Sequence, residues 1–183
     1  MKSNLQIISG KYRGKKLVLP NDARPTQNLA RGALFNMLNE LIDMRQHVAV
    51  WDAFAGSGAF GIECISRFNN PSVVFTDNSK SSIDTIKKNL NSINENARIE
   101  MVDAISVISK FGAASDLIFI DPPYSDFGLG LLFVKKLSKV AKTGTILIWE
   151  FEKLNNTPKI DDNWETLKDK TYGRARFLFL RKK

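Results

Sequence analysis

From about residue 47 the chain alternates short apolar runs with longer stretches whose apolar residues recur at helical spacing. The runs are His47–Phe54, Ser72–Asp77, Arg98–Val102, Asp116–Asp121 and Gly144–Trp149. Amphipathic stretches lie between them around Gly58–Phe68, Ser79–Asn91, Ala104–Lys110 and Gly128–Ala141. Strands of about four to eight residues separated by helices of roughly ten to fifteen predict βαβ units and a parallel sheet. Right-handed crossovers then put helices on both of its faces. The end of the chain reads differently. Trp164–Asp169 and Arg174–Leu180 are strands joined by a Tyr172-Gly173 turn, an antiparallel hairpin that closes the sheet edge. The expectation is a doubly wound, mostly parallel, seven-stranded Rossmann-like sheet over residues 47–183.

Residues 1–46 do not fit this repeat. Leu5–Ser9 and Lys16–Leu19 look like two strands around a Gly10–Gly14 turn, and Pro25-Thr26 opens a helix with Leu29, Ala33, Leu34, Met37, Leu38 and Leu41 at helical spacing. The segment is too short to bury a core alone. It reads as a small basic extension that adds little to the core of the main domain.

Composition narrows the chemistry. The 183 residues carry 27 Lys and Arg against 19 Asp and Glu, a net charge of +8, and the excess sits at the two termini. Such a balance suits a polyanionic partner, since each neutralised phosphate releases condensed counterions. One cysteine, Cys64, rules out an internal disulfide, and with one histidine, His47, it leaves too few ligands for a zinc centre. No metal is expected. Cys64 has no evident base or cation beside it and reads as a buried structural thiol. The N-terminus lacks the apolar segment of a signal peptide, and no stretch approaches the roughly 18 apolar residues of a membrane span. A cytoplasmic protein with no membrane partner is expected.

The first strand runs into Asp52-Ala53-Phe54-Ala55-Gly56-Ser57-Gly58-Ala59-Phe60-Gly61, so that Gly56, Gly58 and Gly61 form a G-x-G-x-x-G loop between strand and helix. Glycines allow the tight turn and a close approach of ligand to backbone. The helix N-terminus offers unpaired N–H groups to a negative group. Asp77 ends the second strand and can accept hydrogen bonds from ribose hydroxyls. A nicotinamide dehydrogenase would satisfy the same spacing. Asp52, placed before the glycines, favours S-adenosylmethionine instead, because that cofactor has a cationic amino acid end and no pyrophosphate.

The fourth strand ends in Asp121-Pro122-Pro123-Tyr124. Ligands of open parallel sheets bind outside the carboxyl ends of the strands, so Asp121 faces the same crevice as the glycine loop. Two prolines fix the backbone and remove two donors, leaving carbonyl acceptors in a rigid arc. A carboxylate, a proline carbonyl and an aromatic ring together receive a planar exocyclic amine. Holding both N–H bonds on acceptors directs the amine's lone pair toward the methyl donor. Asp121 can also accept the proton released as the C–N bond forms. A base inside a duplex would first have to be flipped out.

Asp52–Gly58 and Asp121–Tyr124 together resemble the class I S-adenosylmethionine-dependent methyltransferases of exocyclic amines. Ile7-Ile8-Ser9-Gly10-Lys11-Tyr12-Arg13-Gly14, Arg24-Pro25-Thr26 and Arg31…Leu34-Phe35 tighten the likeness to the RsmD-type 16S ribosomal RNA guanine-N2 methyltransferases, over nearly the whole chain. The resemblance implies a monomer that methylates one guanine N2 of 16S ribosomal RNA, within the small subunit or its assembly intermediate. It implies that Asp52, Ala53, Phe54, Gly56, Ser57 and Gly58 line the methionine end of the cofactor and that Asp77 and Asn78 hold the ribose. By the same likeness Asp103 and Ala104 meet the adenine, Arg24 and Thr26 flank the entrance, and Asp121, Pro122, Pro123 and Tyr124 receive the guanine. Lys11, Arg13, Lys15, Lys16 and Arg31 are the expected RNA contacts. Gly32 departs from the family pattern, which has Glu after the arginine. Two rivals keep the same motifs: an adenine-N6 methyltransferase of DNA or RNA, and a non-catalytic RNA-binding or ribosome-assembly factor.

Overall fold

Five parallel strands extended by an antiparallel pair make up a single sheet in a computed structural model that describes residues 5–20, 28–154 and 157–183. Among these residues the parallel strands are β1 (Ala49–Asp52), β2 (Ser72–Asp77), β3 (Arg98–Met101), β4 (Leu117–Ile120) and β5 (Ile146–Glu152). The hairpin is β6 (Trp164–Tyr172) and β7 (Ala175–Lys182). The order is β3-β2-β1-β4-β5-β7-β6, with β7 antiparallel to both neighbours. Because successive crossovers run outward in both directions from β1 and β4, these two adjacent strands form the topological switch point.

Helices cover both faces. On one lie α1 (Asn28–Leu38), α2 (Ala59–Arg67) and α3 (Lys80–Ser92), whose Phe35, Ile62 and Ile86 pack with Val50, Phe119, Ile148, Phe177 and Phe179 of the sheet. On the other, α4 (Phe127–Leu137) sets Phe133 and Leu137 against Trp51, Ile118, Leu147 and Leu180. The alternation of Phe177 and Phe179 with Leu178 and Leu180 therefore fills both faces of β7. Where one helix over Ala104–Lys110 is expected, the chain makes a 3-10 turn (Ala104–Val107) and then a wider π turn (Ile108–Gly112). The Asp103 carboxylate caps the first turn by accepting from the Ile105 N–H at 3.1 Å. The second brings Gly112 so near Leu137 that an added methyl would sit 2.5 Å from Cδ1.

The N-terminal segment departs most from expectation. In place of two strands, Gln6 and Lys16 form one antiparallel bridge, with flanking bonds Ile7 N–H to Lys15 C=O and Leu17 N–H to Leu5 C=O, each 2.9 Å. Nor is the segment peripheral to the core. Leu5, Ile7, Leu17, Leu34, Phe35 and Leu38 are buried in the same cluster as the sheet. Six such side chains contribute about 10–20 kcal/mol gross, comparable with the whole net stability of a domain, about 5–15 kcal/mol. Its backbone is held by side chains of α2. Glu63 accepts from the N–H groups of Ile8 and Ser9, both at 2.9 Å, and Ser66 Oγ donates to the Ser9 carbonyl at 2.6 Å. Pro25, expected to open the helix, lies outside the described residues.

Candidate active site

The carboxyl ends of β1 and β4 meet as the parallel register requires. Asp52 stands opposite Phe119, and the Ala53 N–H donates to the Phe119 carbonyl at 3.0 Å. Asp121 is two residues beyond Phe119 and shares its face, so both acids lie on the α2 side of two neighbouring strand ends. Ile120 pairs with Trp149, which puts Glu150 of β5 next to Asp121 in the register and on that face as well. Three carboxylates thus converge.

Their surroundings differ. Asp52 is 1 % exposed, and its Oδ2 accepts from the Gly61 N–H at 3.0 Å. Gly58 begins α2 without a side-chain cap, so the strand-end acid supplies from outside what an N-cap residue ordinarily would. Burial pushes the Asp52 carboxyl up to about 7, with the Asp77 charge adding to the effect and the Gly61 bond opposing it. The Asp121 carboxyl is also held well above the usual carboxylate range, first by burial and then by the charges of Glu150 and Asp52.

Between β1 and α2, Gly56 and Gly58 take φ of +53° and +75°, in the left-handed region that glycine enters without steric cost. Nothing lies within 4 Å of where a Gly56 side chain would project, so the loop borders open space. Asp77 braces it: one oxygen accepts from Gly56 N–H and the other from Ser79 N–H, both at 2.8 Å. A carboxylate offers about four acceptor positions, so two remain for a vicinal diol. The loop is also fixed from beneath, where Thr76 Oγ1 accepts from Trp51 Nε1 at 2.9 Å and donates to the Ala53 carbonyl at 2.8 Å. Asn89 of α3 donates to the Ser57 carbonyl at 2.8 Å while pairing with both backbone groups of Val18, tying loop to extension. Phe54 is half-buried against Phe133, Asn78 is exposed, and exposed Asp103 precedes buried Ala104 at the end of β3.

At the tetrapeptide, Pro122 is buried and Pro123 exposed. The Pro123 carbonyl accepts from the Asp126 N–H at 2.8 Å and closes the turn, which leaves Pro122 as the proline able to offer its carbonyl to a substrate. Tyr124 is half-buried and donates its hydroxyl to Glu150 Oε1 at 2.9 Å. Burial and the Glu150 charge raise its phenol above the ordinary tyrosine range. Glu150, Thr76 and Asn89 are absent from the sequence expectations. An acid inside the apolar run Ile146–Glu152 was the signal for the first; nothing local marks the other two.

The expected RNA contacts separate. Arg31 is a correction: it is 3 % exposed, donates to the Gln6 carbonyl and lies 3.7 Å from Glu63, so its charge serves the interior. Lys11 is exposed but bonded to Glu95 at 2.7 Å, beside Tyr12, whose hydroxyl takes the same carboxylate. Arg13, Lys15 and Lys16 are exposed. The hairpin turn contacts Ser66, in the last turn of α2, and Glu95, which follows α3; the chain enters β2 and β3 just beyond these residues, so the turn sits at the amino end of the sheet, away from Asp121. Arg24 and Thr26 lie outside the described residues. Cys64 is buried and His47 is exposed against Ser72 Oγ. Among the described residues no helix is long and apolar enough to cross a membrane.

A family model described as "conserved hypothetical protein 95" matches residues 5–181. The ribosomal RNA small subunit methyltransferase D of Escherichia coli is 31% identical over 180 residues, 94% of this chain and 87% of that protein. The protein of that name from Haemophilus influenzae is 31% identical over 182 residues, covering 94% and 91%. The solved structure of the Escherichia coli protein yhhF superposes with a TM-score of 0.84 at 27% identity, covering 98% of both chains.

Proposed function

The chain belongs to the conserved hypothetical protein 95 family, and on that premise we propose that it transfers a methyl group from S-adenosylmethionine to the exocyclic N2 amine of a guanine in 16S ribosomal RNA. The observation that carries this reading is the placement of Asp52 and Asp121 on one face of adjacent strand ends at the switch point. A donor held at the first is a neighbour of an acceptor held at the second.

The residues present fit the cofactor. Bound S-adenosylmethionine supplies an electrophilic methyl on a sulfonium. Ionised Asp52 attracts the cationic amino acid end, Ala53 to Gly58 give it room, Asp77 and Asn78 take the ribose, and Asp103 with Ala104 take the adenine. Asp121 and the Pro122 carbonyl accept the two amine hydrogens while Tyr124 covers the ring face. This geometry turns the amine lone pair toward the donor. Asp121, with its raised proton affinity, takes the proton as the new bond forms. Exposed Arg13, Lys15 and Lys16 bind phosphates beyond the modified nucleotide, on RNA presented by an assembled or assembling small subunit.

Mapping 16S modifications in a strain lacking this chain tests the reading. One N2-methylguanosine should disappear, return with the intact gene, and stay absent with Asp121→Ala. Unchanged N2-methylguanosine content would overturn it.

A further inference from the structure

Tyr124 follows two rigid prolines but is itself fixed by a distant residue. Its hydroxyl donates to Glu150 Oε1, across from the β4 loop to the middle of β5. Glu150 is 2 % exposed and stands opposite Phe177 in the register. The guanidinium of Arg31, buried on the same side, interacts electrostatically with it. An acid buried in an apolar strand costs folding free energy that a leucine there would not. One contact that offsets this cost is the hydrogen bond from Tyr124.

We infer that Glu150 is a positioning residue, which holds the Tyr124 ring over the target guanine and so aligns the amine with Asp121. The inference rests on the proposed reaction. Without the anchor the ring turns about its side-chain bonds, the base is held less squarely, and the reacting atoms meet less often in line. Misplacement by about 1 Å can cost a hundredfold in rate; loss of one ring anchor should cost less. The lesion falls on kcat, because phosphate contacts made elsewhere hold the RNA.

The test uses the full chain with small-subunit RNA and compares wild type, Y124F, E150L, E150Q and Y124F/E150L. The single variants Y124F and E150L should each lose about tenfold in kcat, with the RNA KM and S-adenosylhomocysteine affinity within twofold of wild type. The double variant should lose about tenfold, since both changes remove one bond. E150Q keeps an acceptor and should stay within about threefold. NMR of ring-labelled tyrosine gives a readout independent of turnover: the Tyr124 phenol should ionise at lower pH in E150Q than in wild type. Active wild type with E150L unimpaired, a double loss near a hundredfold, or a Tyr124 titration unmoved in E150Q overturns the inference alone. Wild type that methylates no guanine overturns the parent reading and this inference with it.

Discussion

Replacing Asp52 by Asn should stabilise the cofactor-free protein at pH 8 while weakening its hold on cofactor. In the folded chain the carboxyl titrates at about 7 against an ordinary 3.8, with burial as the main cause. The unfolded chain loses that proton near 3.8, so from about pH 4 to pH 7 the folded state binds more protons and stability falls as pH rises. The difference of about three pH units, at about 1.36 kcal/mol each, corresponds to a penalty on the order of 4 kcal/mol above pH 7. Asparagine keeps an oxygen for the Gly61 N–H and carries no charge. Urea unfolding should therefore show Asp52→Asn more stable than wild type by about 1–4 kcal/mol at pH 8, with the gap closing toward pH 5. Asp121 shifts in the same direction, in part because of the Asp52 charge, so losing that charge eases the Asp121 penalty as well and adds to the gap rather than opposing it. Calorimetric titration with S-adenosylhomocysteine should show wild-type affinity rising from pH 6 to 8 and a weaker, flatter profile in the variant. A variant less stable than wild type at pH 8, or one with the same pH slope, would refute the reasoning.

Three further substitutions probe the scaffold. Glu63→Gln breaks the buried Arg31–Glu63–Arg67 cluster and weakens the anchor of Ile8 and Ser9; it should cost about 3–5 kcal/mol and expose the first residues to protease before global unfolding. Gly61→Ala drives a methyl into the Phe75 ring, where α2 crosses β2; a loss of about 1–3 kcal/mol should appear in thermal unfolding. Gly32→Ala puts a methyl 3.9 Å from Ile8 Cδ1 in the interior of α1 and should raise stability by about 0.4–1 kcal/mol.

The parallel sheet and its C-terminal hairpin were legible because each strand carries its own periodicity and each crossover its own turn signals. The placement of Asp52, Gly56, Asp77 and Asp121 at the strand ends was legible because turn signals are local. What the sequence concealed depends on distant partners. The N-terminal hairpin is held by Glu63 and Ser66, more than fifty residues away, so strand propensity misjudged it. Arg31 resembled the other cations of the extension, yet its neighbours are Gln6 and Glu63 rather than solvent, and burial cannot be counted from residue type. Glu150 sits in a strand that otherwise reads as core. Its partner Tyr124 is twenty-six residues earlier and meets it only because β4 and β5 are adjacent.

The most direct measurement supplies purified chain with methyl-labelled S-adenosylmethionine and undermethylated small subunits, then digests the RNA and identifies the labelled nucleoside by mass spectrometry. Label in N2-methylguanosine, abolished by Asp121→Ala, is the predicted result. Label in N6-methyladenosine, or none in RNA while S-adenosylhomocysteine still binds, would contradict the account.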